Sequence, residues 1–522
     1  MSTIATEAQA VASSTGRHVA AAVVGALLTF GVFVAIAMSM NEGVFEYPLD
    51  DVYIHLAMAE QIARGGYGVN AGEFASAASS PVYPLFLLPF AGEELQRWLP
   101  LFWNVASLVL AAALVGWALA RANLGRLGLV LAFASAFCLN MYITAYGGME
   151  NMIHGLASLA IVVGLWHFVE TGRIGALLVL GVAFAPGLRL EGLALALAAG
   201  GVVFLLGRKL AGVALSIVAV LPIAVLVVLL TSLGLDPLPN SVNAKLPLDG
   251  AAAQSFLSSF GANIRFNASV YGGRYLTAMT ILTAFVAITS LAQGRREQGL
   301  VGLAVAAAAV AHLGFAATGW LDRYENYLLV SLFAVLALLL ASFSRQLRLG
   351  LLSLVLLGGV VTYAPHIDNR LAGMRAIHNQ QGEMSRFAKD FLKAPVAVND
   401  LGYVSWNNDN YVLDLYGLAS SEALSLRLDE APVGWGDGLA DANGVKAAMI
   451  YDTWVKDALG PDWVWMGDLI LTNHGWAFLG SNAVAFYARD AEQAEALRPA
   501  LAAWASDLPE GSVFTNKVRV TE

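Results

Sequence analysis

The chain has 522 residues, of which 58% are hydrophobic and only 13% are charged. Charged residues make up about a quarter of a typical soluble domain, so this composition excludes an ordinary soluble enzyme and also a disordered chain. The single cysteine, Cys138, excludes a disulfide framework and a cysteine-based zinc cluster. The net charge of −9 argues against a basic nucleic-acid binder, so we expect no nucleic acid among its partners. The composition predicts a polytopic membrane protein.

Charge is distributed unevenly along the chain. Residues 1–365 hold 17 Lys and Arg and 17 Asp and Glu, whereas residues 366–522 hold 12 Lys and Arg against 21 Asp and Glu, a difference of −9. The second region also contains seven of the twelve tryptophans and has no apolar run long enough to span a bilayer. We therefore predict an N-terminal tail at 1–17, a transmembrane domain at 18–365 and a water-facing α/β domain at 366–522.

Eleven apolar segments are candidate membrane-spanning helices, because such a helix needs about 20 mostly apolar residues. They are 18–40, 99–119, 127–143, 152–169, 174–187, 190–206, 210–231, 272–292, 299–318, 327–343 and 349–364. Several of them are short, and the pair around Arg189 has more than one interpretation.

The loops between these segments alternate in charge. One set contains ten basic residues, and the other contains mainly acidic ones. The positive-inside rule places the basic set, and with it the N-terminus, in the cytoplasm. The 366–522 domain then lies outside. The first apolar run is long and no clear cleavage site follows it, so it reads as a retained anchor. A bacterial inner membrane with a periplasmic domain is the simplest location.

The first outer segment contains two adjacent carboxylates, Asp50 and Asp51, followed by His55. A carboxylate held at a membrane surface is suited to act as a general base, and a pair can share a cation. The alternative is an ordinary solvated helix start, since aspartate is a common N-cap. His55 lies four residues after Asp51 on the same helix face and could join a metal site, although a lone interfacial histidine is more often structural.

Two further outer segments contain ion-pairing residues beside apolar runs. Glu150 is at the mouth of a predicted span, where it could serve chemistry or merely complement the helix dipole. Arg189 and Glu191 stand between two apolar runs and could pair with each other. The guanidinium of Arg189 could instead face an anionic ligand, since its geometry suits phosphate oxygens.

The remaining outer segments add amide, basic and aromatic groups. Asn240 and Lys245 belong to a long proline-containing loop, in which the lysine supplies a point charge suited to phosphate. Arg323 and Tyr324 precede the tenth predicted span. Ionisable groups beside a membrane tend to mark function. Together, these segments suit a site for a lipid with an anionic headgroup, although a plain surface loop would look similar.

Taken in order, these segments resemble the GT-C superfamily of polyprenyl-phosphate-dependent glycosyltransferases. The resemblance covers about residues 18–340 and is closest to the bacterial arabinofuranosyltransferase-type branch. It is carried by Asp50–Ile54, Arg64–Asn70, Ser79–Pro84, Gly148–Glu150, Arg189–Gly192, Pro239–Ser241, Ala244–Lys245 and Arg323–Tyr324. At 190 the chain has Leu where that branch has Pro. Val398–Tyr403 and Leu413–Leu418 extend the resemblance weakly into the outer domain.

The resemblance implies an inverting glycosyltransferase with a polyprenyl-phosphate-linked sugar donor. The sugar would be arabinofuranose or another pentose, and the acceptor a periplasmic glycan, glycolipid or protein. Asp50 would be the general base, and Asp51 would position the acceptor or help to hold a divalent cation (Mg, Mn or Ca). Arg189, Lys245 and Arg323 would neutralise the departing phosphate. The second-choice site residues are Glu150, Glu191, Asn240, Tyr324 and His55.

Two further questions stay open at the level of sequence. The runner-up function is a transporter or flippase of a lipid-linked sugar, which would need ionisable groups near the middle of the spans rather than at one rim. The outer-domain tryptophans could stack on sugar rings, or they could be core residues, as most tryptophans are. They are Trp406, Trp435, Trp454, Trp463, Trp465, Trp476 and Trp504.

Overall fold

A computed structural model describes residues 2–244, 256–472 and 477–517. Within them the chain is mainly helical, with one small sheet near the C-terminus. It divides into two compact units. The first comprises the described residues of Met1–Ala35, Leu101–Val225 and Ala252–Ile367, and the second those of Ile36–Pro100, Leu226–Ala251 and Asp368–Glu522.

Among the described residues, seven helices are long and apolar enough to cross a membrane. They are Ser13–Met40, Glu94–Arg121, Asn151–Thr171, Lys209–Ser232, Tyr271–Ala292, Arg296–Phe315 and Arg345–Leu392, the last continuing through several short helical segments. Four shorter apolar helices are Arg126–Cys138, Ala176–Leu188, Gly192–Leu205 and Asn326–Leu340. Two more helices of the first unit are Met141–Tyr146 and Phe256–Asn267.

Each of the eleven predicted segments overlaps one of these apolar helices, but the segment 127–143 is divided between Arg126–Cys138 and Met141–Tyr146. The four shorter ones have 13 to 15 residues. At 1.5 Å per residue such helices reach about 20 Å, less than the roughly 30 Å of a hydrocarbon core. The helical architecture is therefore confirmed, whereas the crossing of a membrane, the count of eleven spans and the predicted domain boundaries stay predictions.

The second unit combines the segment after the first long helix with the C-terminal region. Its helical segments in the first part are Asp51–Ala63, Tyr83–Phe86, Glu94–Trp98 and Asn240–Asn243. In the C-terminal region they are Gly373–Ile377, His378–Gly382, Glu383–Arg386, Phe387–Leu392, Gly402–Ser405, Ser421–Leu428, Asp437–Ala442, Asp452–Val455, Lys456–Ala458 and Ala491–Ala505.

A six-stranded mixed sheet forms the core of the C-terminal region. Its strands are β1 (Val396–Val398), β2 (Val412–Asp414), β3 (Ala447–Ile450), β4 (Val464–Leu471), β5 (Ala483–Ala488) and β6 (Ser512–Thr515). The order is β2-β1-β3-β5-β4-β6. The β2-β1-β3 part is parallel, with Val396 beside both Val412 and Ala447, and the remaining pairings are antiparallel. The predicted C-terminal α/β fold is confirmed at this level.

Most described tryptophans of this region belong to its core. Trp406, Trp463 and Trp504 are buried. Trp435 and Trp465 are partly buried and pack against an apolar cluster on the sheet. Trp454 differs, because 38% of its surface is exposed. Trp476 lies outside the described residues. The core interpretation is thus correct for five of these side chains.

Candidate functional site

Asp50 immediately precedes the helix Asp51–Ala63, but its carboxylate does not cap that helix. Instead, Oδ2 accepts the backbone N–H of Gly402 at 2.7 Å, and Oδ1 accepts that of Tyr403 at 2.9 Å. These amides begin the short helix Gly402–Ser405. A carboxylate satisfies free N–H groups at such a position. From the sequence, Asp50 could have been the cap of the helix that follows it. It caps a different helix, which starts 352 residues further along the chain.

Three half-buried carboxylates interact around this position. Burial raises the pKa of Asp50 well above that of an ordinary aspartate, repulsion from Asp400 and Asp51 adds to the rise, and the two amide bonds oppose it. Burial likewise raises the pKa of Asp400 to about 6, with a contribution from Asp51. The carboxylate of Asp400 accepts hydrogen bonds from Gln381 Nε2 and Tyr451 Oη, each at 2.9 Å. A carboxylate with a raised pKa, held in a fixed position, can accept a proton near neutral pH.

A buried aromatic network fixes the backbone that holds Asp50. The ring of Tyr403 stacks on that of Tyr53 with centroids 3.9 Å apart. Both phenols donate hydrogen bonds to Glu46, whose carboxylate is fully buried. Arg97 also pairs with Glu46, at 3.4 Å. Each of these groups has at least one polar partner, which offsets most of the desolvation cost, while Arg97 Nε has no hydrogen-bond partner within the described residues.

Two other predicted site residues of the second unit have structural surroundings. His55 is 1% exposed, lies 3.4 Å from Ser79 Oγ and packs edge-on against Tyr83. Asn240 is equally buried. Its amide donates to the carbonyl of Leu418 at 3.2 Å and to Ser421 Oγ at 3.1 Å. These contacts agree with packing roles for His55 and Asn240.

The first unit brings Glu150, Arg189 and Glu191 together. Arg189 Nη1 donates to Glu150 Oε1 at 2.6 Å, and Nη2 donates to Glu191 Oε1 at 2.8 Å. The side chains of Arg189 and Glu150 are 10% and 0% exposed. The pairing with Glu191, considered as an alternative at the sequence level, is thus present, and Glu150 adds a second pair. These two bonds use two of the five guanidinium N–H groups, so binding of a phosphate would fall to the other three.

Arg323 and Tyr324 belong to the same unit. The guanidinium carbons of Arg189 and Arg323 each lie 5.0 Å from the centre of the Tyr324 ring. The backbone before Arg323 is unusual, because Trp320, Leu321 and Asp322 all have positive φ, at 46°, 62° and 53°. Each such residue costs of order 1 kcal/mol, and such strain concentrates at functional sites. The turn is therefore compatible with a binding role for Arg323.

Lys245, the third predicted phosphate ligand, lies outside the described residues. A metal site also has no direct support in the described part of the chain, where no group of three or more His, Cys, Asp or Glu side chains could hold an ion. The predicted cation near Asp51 stays a prediction.

Sequence reasoning did not select Asp400, Gly402, Tyr403 or Tyr451 as site residues. A usable signal was present, because Asn399 and Asp400 directly follow β1, and the carboxyl ends of parallel strands are where open α/β sheets bind ligands. Because Asp400 follows the carboxyl end of β1, this rule would have identified it as a candidate site residue.

Residues 372–495 match a family model described as a domain of unknown function, DUF8728. The match covers most of the sheet together with Asp400, Gly402 and Tyr403. No curated protein and no solved structure matches the chain. The description of this family names no activity.

Proposed function

We propose that the protein is an inverting glycosyltransferase of the inner membrane of a bacterium, using a polyprenyl-phosphate-linked sugar. Its N-terminus would be cytoplasmic and its C-terminal domain periplasmic. The acceptor would be a glycan, glycolipid or protein, and the sugar arabinofuranose or another pentose. The observation that carries the proposal is the geometry of Asp50, whose carboxylate is fixed by the N–H groups of Gly402 and Tyr403.

In the proposed reaction, Asp50 takes the proton of an acceptor hydroxyl. The hydroxyl oxygen forms a bond to the anomeric carbon while the bond from that carbon to the phosphate oxygen breaks. The electron pair of the broken bond leaves with the polyprenyl phosphate. Asp51 would position the acceptor. The roles of Arg189, Lys245 and Arg323 would be to offset the negative charge that grows on the leaving group.

The enzyme and a transporter differ in where the ionisable groups of the first unit must lie. Glu150 precedes the helix Asn151–Thr171, and Arg189 and Glu191 lie between Ala176–Leu188 and Gly192–Leu205. Arg323 precedes Asn326–Leu340. All four thus lie at helix ends. The enzyme requires these ends to lie at the outer rim of the membrane domain, whereas a transporter would hold its substrate near the middle of the bilayer.

The test is sugar transfer by the full chain in proteoliposomes. Radiolabelled polyprenyl-phosphate pentoses and hexoses would be supplied with envelope glycans as acceptors. We expect Asp50→Asn to lower the transfer rate by about 10²–10⁴-fold, the range for loss of a general base. Asp414→Asn is the matched control, because Asp414 also accepts backbone N–H groups, from Tyr416 and Ala419, each at 2.8 Å.

The outcomes are distinct. Full activity in a correctly inserted Asp50→Asn variant would remove the base assignment. An equal loss in Asp414→Asn would show that the effect of Asp50→Asn is structural. Translocation of the sugar lipid by the wild type without any transfer would favour the flippase.

A further inference from the structure

The carboxyl ends of the three parallel strands bring a group of polar and aromatic residues to one edge of the sheet. Asn399 and Asp400 follow β1, Tyr416 follows β2, and Tyr451 and Trp454 follow β3. In the sheet, β1 lies between β2 and β3. The chain therefore runs from β1 to β2 on one side, and then to β3 on the other side of β1. Such a reversal creates a crevice outside the strand ends, where open α/β sheets bind ligands.

Hydrogen bonds connect the two sides of this reversal. The backbone N–H of Tyr451 donates to Asn399 Oδ1 at 2.6 Å. The phenol of Tyr451 lies 2.9 Å from Asp400 Oδ2 and 2.6 Å from Gln380 Oε1. Asp50 accepts the N–H groups of Gly402 and Tyr403, two and three residues after Asp400, so this edge is continuous with the proposed base.

Trp454 presents an aromatic surface beside this network. Its ring packs edge-on against Tyr451 with centroids 5.2 Å apart, and at an angle against Tyr416 at 5.4 Å. Tyr416 is held by the guanidinium of Arg427, 4.2 Å from its ring centre. An exposed aromatic side chain held by this many contacts keeps a fixed orientation, which lowers the entropy lost on binding.

The glycine at 480 shows how closely the indole approaches Tyr451. A Cβ at Gly480 would overlap Trp454 Cζ2 and would lie 2.7 Å from Tyr451 Cε2. The six-membered ring of Trp454 is therefore beside the edge of Tyr451 that ends in the hydroxyl group. The aromatic surface and Asp400 are separated by that one phenol ring.

We propose that Trp454 forms a subsite for a sugar ring of the acceptor, at the carboxyl edge of β1 and β3. A sugar ring has an apolar C–H face and polar hydroxyl edges. The face would stack on the indole while the hydroxyl edge meets Asp400. Tyr451 is only 1% exposed, so its role is to hold the indole and that carboxylate in place. The subsite places a glycan, rather than a lipid, at this edge. Its identity as an acceptor subsite depends on the proposed glycosyltransferase function.

The test is binding of free pentose and hexose disaccharides to the full chain in lipid nanodiscs, measured by saturation-transfer difference NMR. We expect the wild type to bind at least one disaccharide of the panel. Trp454→Ala should weaken that binding by about tenfold, the usual scale for truncating a central aromatic contact. Val433→Ala is the control, because Val433 is an exposed apolar residue of the same region, and it should bind as the wild type does.

Two further variants, Trp454→Phe and Asp50→Asn, separate a loss of sugar binding from a loss of folding or of transfer. If Trp454→Ala does not fold, Trp454→Phe retains a smaller aromatic face and should show an intermediate affinity. Equal binding by the wild type and a folded Trp454 variant would overturn the subsite, as would the absence of any disaccharide binding by the wild type. Asp50→Asn should bind normally while failing to transfer sugar. Binding through Trp454 without transfer by the wild type would instead contradict the proposed function alone.

Discussion

The backbone N–H of Gly402 donates to the carboxylate of Asp50 at 2.7 Å, joining residues 352 positions apart. The approach is so close that a Cβ at 402 would overlap the carbonyl oxygen of Asp50. Glycine is needed here for space, because any side chain would push the two backbones apart. The candidate base is therefore held by the C-terminal region as well as by its own loop.

Replacing Gly402 by alanine should displace Asp50. We expect Gly402→Ala to lower the free energy of unfolding by about 1–3 kcal/mol, as overpacking usually does. It should also reduce the rate of sugar transfer by more than the smaller fraction of folded protein explains. Thermal unfolding and transfer rates would be measured together. Gly438→Ala is the control, since a Cβ there would meet nothing within 4 Å. Equal behaviour of the two variants would contradict a positioning role for Gly402.

The repulsion between Asp400 and Asp50 predicts a shift in pH dependence. Asp50 must be ionised to act as a base, and Asp400 contributes to the rise of its pKa. Asp400→Asn should therefore lower the pKa of Asp50 and move the acidic limb of the rate profile to lower pH. Asp414→Asn should leave the profile in place, because Asp414 is not among the groups that shift the pKa of Asp50. An unchanged limb in Asp400→Asn would show that the two carboxylates do not interact.

The same residue makes stability depend on pH. The pKa of Asp400 rises from an ordinary value near 3.8 to about 6 in the folded protein. A raised carboxyl pKa means that folding favours the protonated form. Its stabilising contribution is complete below pH 4 and is lost as the pH rises through 6. The melting temperature of the wild type should therefore fall between pH 4 and pH 7, and Asp400→Asn should make this fall smaller. The altered hydrogen bonds to Gln381 and Tyr451 should lower the melting temperature of the variant separately, at every pH.

The ion pairs of Arg189 predict an asymmetric response to mutation. Arg189→Ala leaves two carboxylates without their common partner, and Glu150 is fully buried. We expect a loss of about 3–5 kcal/mol in stability, as for other broken buried pairs. Glu191→Gln should cost less, because the Glu191 side chain is 24% exposed and its amide can still accept a hydrogen bond. Chemical denaturation in detergent would compare them, and a larger loss in Glu191→Gln would contradict this ranking.

Local sequence patterns were sufficient for the helices and for part of the sheet. The length of each apolar run predicted an apolar helix, because a helix that buries its surface needs apolar residues along a continuous stretch of sequence. The runs Tyr411–Leu415 and Ala483–Ala488 predicted β2 and β5 for the same reason. The helical run predicted over Asp490–Trp504 is likewise observed, as Ala491–Ala505.

Long-range contacts were beyond reach from one sequence. Nothing in the sequence around Asp50 indicates that its carboxylate accepts hydrogen bonds from the amides of Gly402 and Tyr403. This pairing depends on tertiary packing alone. Likewise, the pairing of Arg189 with Glu191 could be anticipated from proximity, but the shorter bond to Glu150 could not. The chemistry of the candidate site residues could therefore be read from the sequence, whereas their partners had to come from the structure.

The proposed topology gives the last prediction. If basic loops face the cytoplasm and the C-terminal domain faces the periplasm, the thiol of an Asp507→Cys variant should react with a membrane-impermeant maleimide in intact spheroplasts. Asp507 is suitable because its side chain is 83% exposed. The single native cysteine, Cys138, is buried and would be replaced by alanine to give a clean background.

Arg126→Cys serves as the matched reporter for the opposite side, since Arg126 is exposed in one of the basic loops. It should react only after the membrane is permeabilised. The reverse labelling pattern would place Asp400 and Trp454 in the cytoplasm, where a periplasmic acceptor could not reach them. Because the proposed donor and acceptor are both on the outer side, that result would contradict the proposed reaction even if every helix crossed the membrane.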